Sequence, residues 1–280
     1  MSQPNTISPA QLSRLLGLPR APALVDVRID PDMALDPRML PGAVRRSHRN
    51  ASAWAQEFRG QRVVVVCQRG LKLSHGTAAW LRHEGAEAES LEDGFEGWTA
   101  HGGPLVRQDL LPPRDERGRT VWVTRARPKV DRIACPWLIR RFVDPGAVFL
   151  FVAPAEVEAV ADRFGAAPFD VDGVFWSHRD ELCTFDVMLD ELGLRSPALD
   201  RLALVVRGAD TARPDLAPEA PGLLAASLGL SRMYADDLAQ LEAGLALYDA
   251  FYRWCRDAVG ETHNWPSAHV PSRAAAETLP

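Results

Sequence analysis

Along the first hundred residues, short apolar runs alternate with stretches of helical period. The run "VVVV" at 63–66 ends at Cys67 and is bounded by Arg62 and by Gln68-Arg69. An unbroken β-branched run of that length predicts a strand buried on both faces. "ALVDVR" and "AESLE" predict shorter strands, and "PGAVRRS" a turn leading into another. Between them, "SPAQLSRLLG" carries a Ser8 cap, Pro9 at the first helical position and Gly17 as a stop. "ASAWAQEFRG" and "SHGTAAWLRHEG" have the same helical character. Strands alternating with helices imply a parallel sheet with helices on both faces. Ligands of such sheets bind beyond the carboxyl ends of the strands, which is where Cys67 falls.

The texture changes after residue 107. "GGPLVRQDLLPPRDERGRT" pairs Gly, pairs Pro and concentrates charge, so residues 108–119 are expected to be a linker. Beyond it "TVWVTR", "AVFLFV" and "VFWSH" predict strands. Helical period dominates the rest: "DRIACPWLIRRFVD", "APAEVEAVADRFG", "SPALDRLALVVRGAD", "APEAPGLLAASLGL" and a long helix over "RMYADDLAQLEAGLALYDAFYRWCRDAVG". Residues 120–260 are therefore expected to form a mainly helical α+β domain, and residues 261–280 a loose tail.

Length and composition agree with two domains: 280 residues, 46% hydrophobic, are enough to bury two cores. The opening segment lacks the basic, apolar and cleavage regions of a signal peptide, and no apolar run approaches a membrane span, so a cytoplasmic protein without membrane partners is expected. Four separated cysteines (Cys67, Cys135, Cys183, Cys255) suit free thiols or ligands better than disulfides. Residues 1–107 carry 13 Lys and Arg against 11 Asp and Glu, whereas residues 108–280 carry 19 against 26. The acidic second half argues against nucleic acid as the main partner.

The order "LVDVR", "PGA", a Cys loop and "DGFEGWTAHGGPL" resembles the rhodanese family of sulfurtransferases over roughly residues 8–107. Cys67-Gln68-Arg69-Gly70-Leu71-Lys72 is similar to the family's six-residue active loop. Gly70 lets the chain curl so that successive N–H groups form an anion-binding nest. The helix start and the cations Arg69 and Lys72 add to it and favour a thiolate. The resemblance implies ping-pong sulfur transfer through a Cys67 persulfide. The donor would be anionic, such as thiosulfate, the acceptor a thiol or cyanide, and no cofactor would be needed. Arg69 is similar to the cation of thiosulfate-using members, and Asp26 and Arg28 match the family's strand-end ion pair. Phosphatases that share this fold place Arg six residues after the Cys; here that position is Leu73. An inert buried thiol is the bland alternative for Cys67.

Residues 120–258 resemble the C-terminal domain of chromate resistance proteins of the ChrB type, through long strings such as "VWVTRARPKVDRIACPWLIRRFVDPGAVFLFV" and "PFDVDGVFWSHRDELCTFDVML". The resemblance implies a link to chromate tolerance. Full-length members are chromate-responsive regulators with an N-terminal DNA-binding domain, a place taken here by the rhodanese-like segment.

Two polar clusters stand out in this half. "SHRDELCTFD" offers His178, Glu181, Cys183 and Asp186 as candidate metal ligands, while Thr184 with Asp186 equally fits a helix cap. Arg125, Arg127 and Arg132 are a candidate site for an oxyanion such as chromate, or else a solvated run paired with carboxylates. Asp131 reads as the cap of the helix holding Cys135. The leading expectation is a sulfurtransferase linked to chromate resistance. The alternative is a chromate- or metal-sensing binding protein whose Cys loop is a redox or ligand switch.

Overall fold

The computed structural model describes residues 5–261, so the tail expected over 261–280 lies outside the described residues from position 262 on. The first domain runs β1 (Thr6–Ile7), α1 (Pro9–Ser13), β2 (Ala23–Asp26), α2 (Asp30–Leu35), β3 (Ala43–Arg45), α3 (Ala51–Trp54), β4 (Arg62–Val66), α4 (Lys72–His83), β5 (Glu87–Leu91) and α5 (Gly94–Ala100). Its strands form one parallel sheet in the order β1-β5-β4-β2-β3. The Ser8 hydroxyl accepts from the Gln11 amide, and the Gln11 side chain returns to the Ser8 amide, so α1 starts where the sequence placed it. The short β1 and α2 carry too few apolar positions to show a period.

The valines of β4 divide by the two-residue period of a strand. Val64 and Val66 join Leu12, Leu91, Phe95 and Trp98 on one face. Val63, Val65 and then Cys67 join Trp54, Phe58, Ala78 and Leu81 on the other. The thiol is thus aimed toward α4 by strand register alone.

Beside β4, Asp26 and Arg28 form a fully buried ion pair, with Nη2 2.7 Å from Oδ2. The guanidinium also donates to the carbonyls of Asp36 and Arg38, at 3.0 and 2.7 Å, and lies 3.8 Å over the Phe95 ring. It ties the end of β2 to the segment before β3 and to α5.

The second domain contains β6 (Val121–Arg125), α6 (Asp131–Leu138), β7 (Val148–Val152), α7 (Val157–Phe164), β8 (Ala167–Pro168), α8 (Thr184–Leu192), α9 (Pro197–Asp210), α10 (Ala220–Met233) and α11 (Asp237–Asp257). Its small parallel sheet has the order β7-β6-β8. Trp122, Trp137, Phe185 and Tyr248 anchor a helical core. The expected strand at 174–178 does not form. Asp170 and Gly173 take positive φ, turning the chain out of the sheet, and a single Phe169–Trp176 bridge is what remains. The expected long helix from 232 is two helices. Tyr234 is extended, and Asp236 accepts from the Ala239 amide to start α11 afresh. Among the described residues no helix is long and apolar enough to cross a membrane.

The segment between the domains is held at both ends. Val106 pairs with Met39, and Leu110 and Leu111 pack on the second core. Direct contacts add to this: the Gly42 amide donates to Phe142 O at 2.6 Å, the Arg107 amide to Leu192 O, and Arg256 to Leu16 O. At Gly17, with φ +72°, a Cβ would lie 2.4 Å from the Phe142 ring. Gly17 and Gly42 sit in loops entering β2 and β3. The second domain therefore docks at the amino-terminal end of the parallel sheet, opposite the Cys67 loop.

Removing one partner of a buried ion pair leaves the other charge uncompensated. Arg28→Ala is expected to destabilise the first domain by about 3–5 kcal/mol, read as a lower urea midpoint. A midpoint within error of wild type would show that the pair does not hold this end of the sheet.

Candidate functional site

Cys67 directly follows β4, and α4 begins five residues later at Lys72, so the loop between them is short. Gly70 has φ +64°, a conformation that a side chain disfavours. A Cβ there would also meet Leu91 O at 2.5 Å and the amides of Asp93 and Gly94 at 2.7 Å. Gly94, with φ +59°, is equally constrained: its Cβ would fall 2.1 Å from Cys67 O. The loop is clamped onto the start of α5, where the Phe95 and Glu96 amides donate to Cys67 O and Gln68 O at 2.9 and 3.1 Å.

That clamp satisfies the loop's carbonyls and leaves its donors free. The amides of Arg69, Gly70, Leu71, Lys72 and Leu73 have no acceptor among the described residues. The buried Cys67 Sγ is 3.2 Å from Ser74 Oγ, which donates onward to Leu71 O. The exposed Arg69 has its Nε 3.5 Å from Glu96 Oε1, and Gln68 Nε2 donates to the same oxygen at 3.2 Å. Lys72 and Leu71 are exposed at the helix start. Arg28 reaches the site through Phe95, whose ring it covers and whose amide holds Cys67 O. Such a loop can receive a small anion at its free amides and cations, beside a thiol.

A second cluster lies in the other domain. His178 Nε2 is 3.2 Å from Asp210 Oδ2, 3.3 Å from Asp170 Oδ1 and 3.5 Å from Asp131 Oδ2. These groups come from the starts and ends of four segments: Asp131 opens α6, Asp210 closes α9, Asp170 follows β8 and His178 precedes α8. Asp131 is fully buried and accepts from the Thr184 and Phe185 amides at 2.6 and 3.3 Å. It thus serves the amino end of α8 while being the first residue of α6. Val130 before it has φ +37°, an uncommon strain for a β-branched residue. A cavity of about 480 Å³ opens over the cluster, lined by Asp170, His178 and Asp210 together with Arg125, Lys129 and Arg132. The larger cavity, about 860 Å³ between Pro112–Pro113 and α7, contains no thiol, histidine or basic side chain.

Burial, then the charges of Asp210 and Asp170, pushes the Asp131 carboxyl well above the usual range. Asp170 goes the other way: burial opposes its charge, but His178, Arg132 and Arg125 outweigh it and hold it low. The carboxylates of Asp170 and Asp210 raise His178 from 6.5 to about 10. Cys135 and Cys183 are pushed up by burial, as unreactive core thiols are.

Of the four residues in "SHRDELCTFD" read as metal ligands, the structure brings only His178 into this cluster. Cys183 is the N-cap of α8, with its amide and thiol each 3.2 Å from Asp186 Oδ2 in a capping box, and Glu181 is exposed in the preceding turn. Thr184 lies one position inside the cap and donates its hydroxyl to Asp170 Oδ1 at 3.0 Å. The basic run divides. Arg125 and Arg132 each come within 3.2 Å of Asp170 Oδ2, whereas Arg127 turns away to the Tyr234, Ala235 and Ser231 carbonyls at the end of α10. No spacing or motif in the sequence marks Asp170 as a member of the cluster. Its one local sign is an acid directly after the apolar "PF", at a turn where Asp tolerates positive φ.

Comparison with known proteins follows this division. Residues 8–101 match the rhodanese-like domain family, and residues 122–255 match the family described as ChrB, C-terminal domain. The chain is 36% identical over 151 residues to Protein ChrB of Cupriavidus metallidurans, a match that covers 54% of this chain and 44% of that protein. Among solved structures, a rhodanese-related protein from Thermoplasma volcanium is 20% identical, with a TM-score of 0.32, over 36% of this chain and 97% of its own. A thiosulfate sulfurtransferase from Pseudomonas aeruginosa is 25% identical, with a TM-score of 0.32, over 37% and 19%. The chain joins a rhodanese-like domain, residues 8–101, to a ChrB C-terminal domain, residues 122–255.

Proposed function

We propose that the first domain is a sulfurtransferase acting through Cys67, in the service of chromate tolerance. The observation that carries this reading is the run of unaccepted amides from Arg69 to Leu73 beside a strand-end thiol. The Cys67 thiolate attacks the outer sulfur of thiosulfate. The S–S bond of the donor breaks, sulfite departs with the electron pair, and a cysteine persulfide remains. The loop amides hold the sulfur's charge, and Arg69 and Lys72 receive the leaving sulfite. A thiol or cyanide then attacks the outer sulfur and regenerates the thiolate. The reaction needs no cofactor, and its partners are small molecules rather than nucleic acid.

The link to chromate comes from the ChrB-type half. Chromate is an analogue of sulfate in shape and charge and consumes thiols, so a persulfide carrier joined to such a domain fits oxyanion stress. A sensing role, with the Cys loop as a switch, is the second reading, and the polar cavity over His178 favours it.

Thiosulfate:cyanide transfer by the full chain tests the enzyme. Cys67→Ala is expected to lower thiocyanate formation at least about 100-fold with the fold unchanged by circular dichroism. A wild type that makes no thiocyanate, or a Cys67→Ala protein as active as wild type, refutes the mechanism.

Glu96 neutralises Arg69 in the resting loop, across a solvent-exposed contact. Releasing that cation is worth at most about 1 kcal/mol. Glu96→Gln is therefore expected to lower the KM for thiosulfate about two- to five-fold with kcat little changed. An unchanged or raised KM would show that Arg69 does not meet the donor.

A further inference from the structure

The second cluster raises a separate chemical question, independent of sulfur transfer. One imidazole nitrogen faces oxygens of three carboxylates at 3.2, 3.3 and 3.5 Å. A single N–H can be shared well with one acceptor, so a protonated His178 leaves the other two contacts poorly used. An ion about 2.1 Å from each donor sets neighbouring donors about 3.0 Å apart in an octahedron and about 3.4 Å apart in a tetrahedron. Two of the three observed spacings fall in that interval and the third lies just above it.

Two further observations point to a ligand. Asp131 Oδ1 is buried and has no hydrogen-bond partner, although the other oxygen of this fully buried carboxylate faces His178 and accepts two amides. An uncompensated buried carboxylate oxygen is costly. Asp170 is also held as a metal ligand is held, by polar contacts from behind. Asp170 Oδ2 meets Arg125 and Arg132 while Oδ1 is left toward Thr184 and His178. The nearest donor atoms of Asp131, Asp170 and His178 lie within 4.8 Å of one another, and the cavity over them gives an entry path.

We infer that Asp131, Asp170 and His178 form a binding site for one divalent transition-metal ion in the ChrB-type domain, with Asp210 at its edge beside the imidazole. Oxygen-rich ligation with a single imidazole suits Mn(II), Fe(II) or Zn(II) better than Mg(II), which keeps most of its water, or Cu(I), which seeks sulfur. The cysteines nearby are not ligands: Cys183 is engaged with Asp186, and Cys135 is core.

The test uses the full chain, stripped with EDTA and desalted, then titrated with Mn(II) by electron paramagnetic resonance and with Zn(II) by calorimetry. Binding of about one ion per chain is expected for at least one of the two metals, with a rise in Tm on loading. His178→Ala is expected to weaken it at least about ten-fold. His178 is 40% exposed, so its removal leaves the fold intact, a point checked by circular dichroism. Cys67→Ala is expected to bind metal as wild type does, which keeps this site separate from the thiol loop. Failure of both metals to bind below about 1 mM, equal binding by wild type and His178→Ala, or Mg(II) binding as tightly as the others would overturn the assignment.

Discussion

A carboxylate removed from water needs hydrogen bonds or a cation to meet its charge, and in the second domain that constraint is concentrated on Asp131. Its position at the first turn of α6 is fixed by Val130, held between Ser227, which accepts the Val130 amide, and Tyr248, which donates to the Val130 carbonyl. From there one oxygen of Asp131 serves the exposed amides at the start of α8. The same carboxylate gathers His178, and through it Asp170 and Asp210. The start of α6, the end of α9 and the stretch between β8 and α8 thus meet at one carboxyl, and Arg125, Lys129 and Arg132 line the opening. Trp137 and Phe185 pack in the aromatic core, and the acid ties the start of α6 to the start of α8.

The first domain solves a different problem. A parallel sheet ends in strand termini whose loops must carry both the turn and the chemistry. The loop after β4 gives its carbonyls to α5 and keeps its amides, so its polarity is sorted by geometry. Gly70 and Gly94 permit this because each lies against backbone where a Cβ has no room. Arg28 supports the arrangement without touching it, by filling the space under Phe95.

Much of this was legible in the chain. The alternation of strand and helix, the Ser8 cap, the two-sided burial of the valine run and the Cys67 loop all follow from local patterns. What escaped depends on contacts between distant segments. The 174–178 segment reads as a strand by composition, yet Asp170 and Gly173 turn it away. Residues 232–260 read as one helix because nothing local opposes it except Asp236, whose cap to Ala239 divides it. Asp131 looks like the cap of its own helix and instead serves another. His178 was visible as a ligand type, but its neighbours Asp131, Asp170 and Asp210 converge only through tertiary structure. Cys183 and Asp186, adjacent to it in sequence, are occupied by the start of α8.

The docking of the two domains at the amino-terminal rim of the sheet has a consequence for traffic at the thiol. Gly17, Gly42 and Phe142 lie at the opposite end from Arg69 and Leu71, whose side chains are open to solvent. The side of the Cys67 loop that carries Arg69 and Leu71 therefore opens to solvent with the two halves in contact. The contacts that join the halves at that rim are thus separate from the backbone bonds to α5 that shape the Cys67 loop.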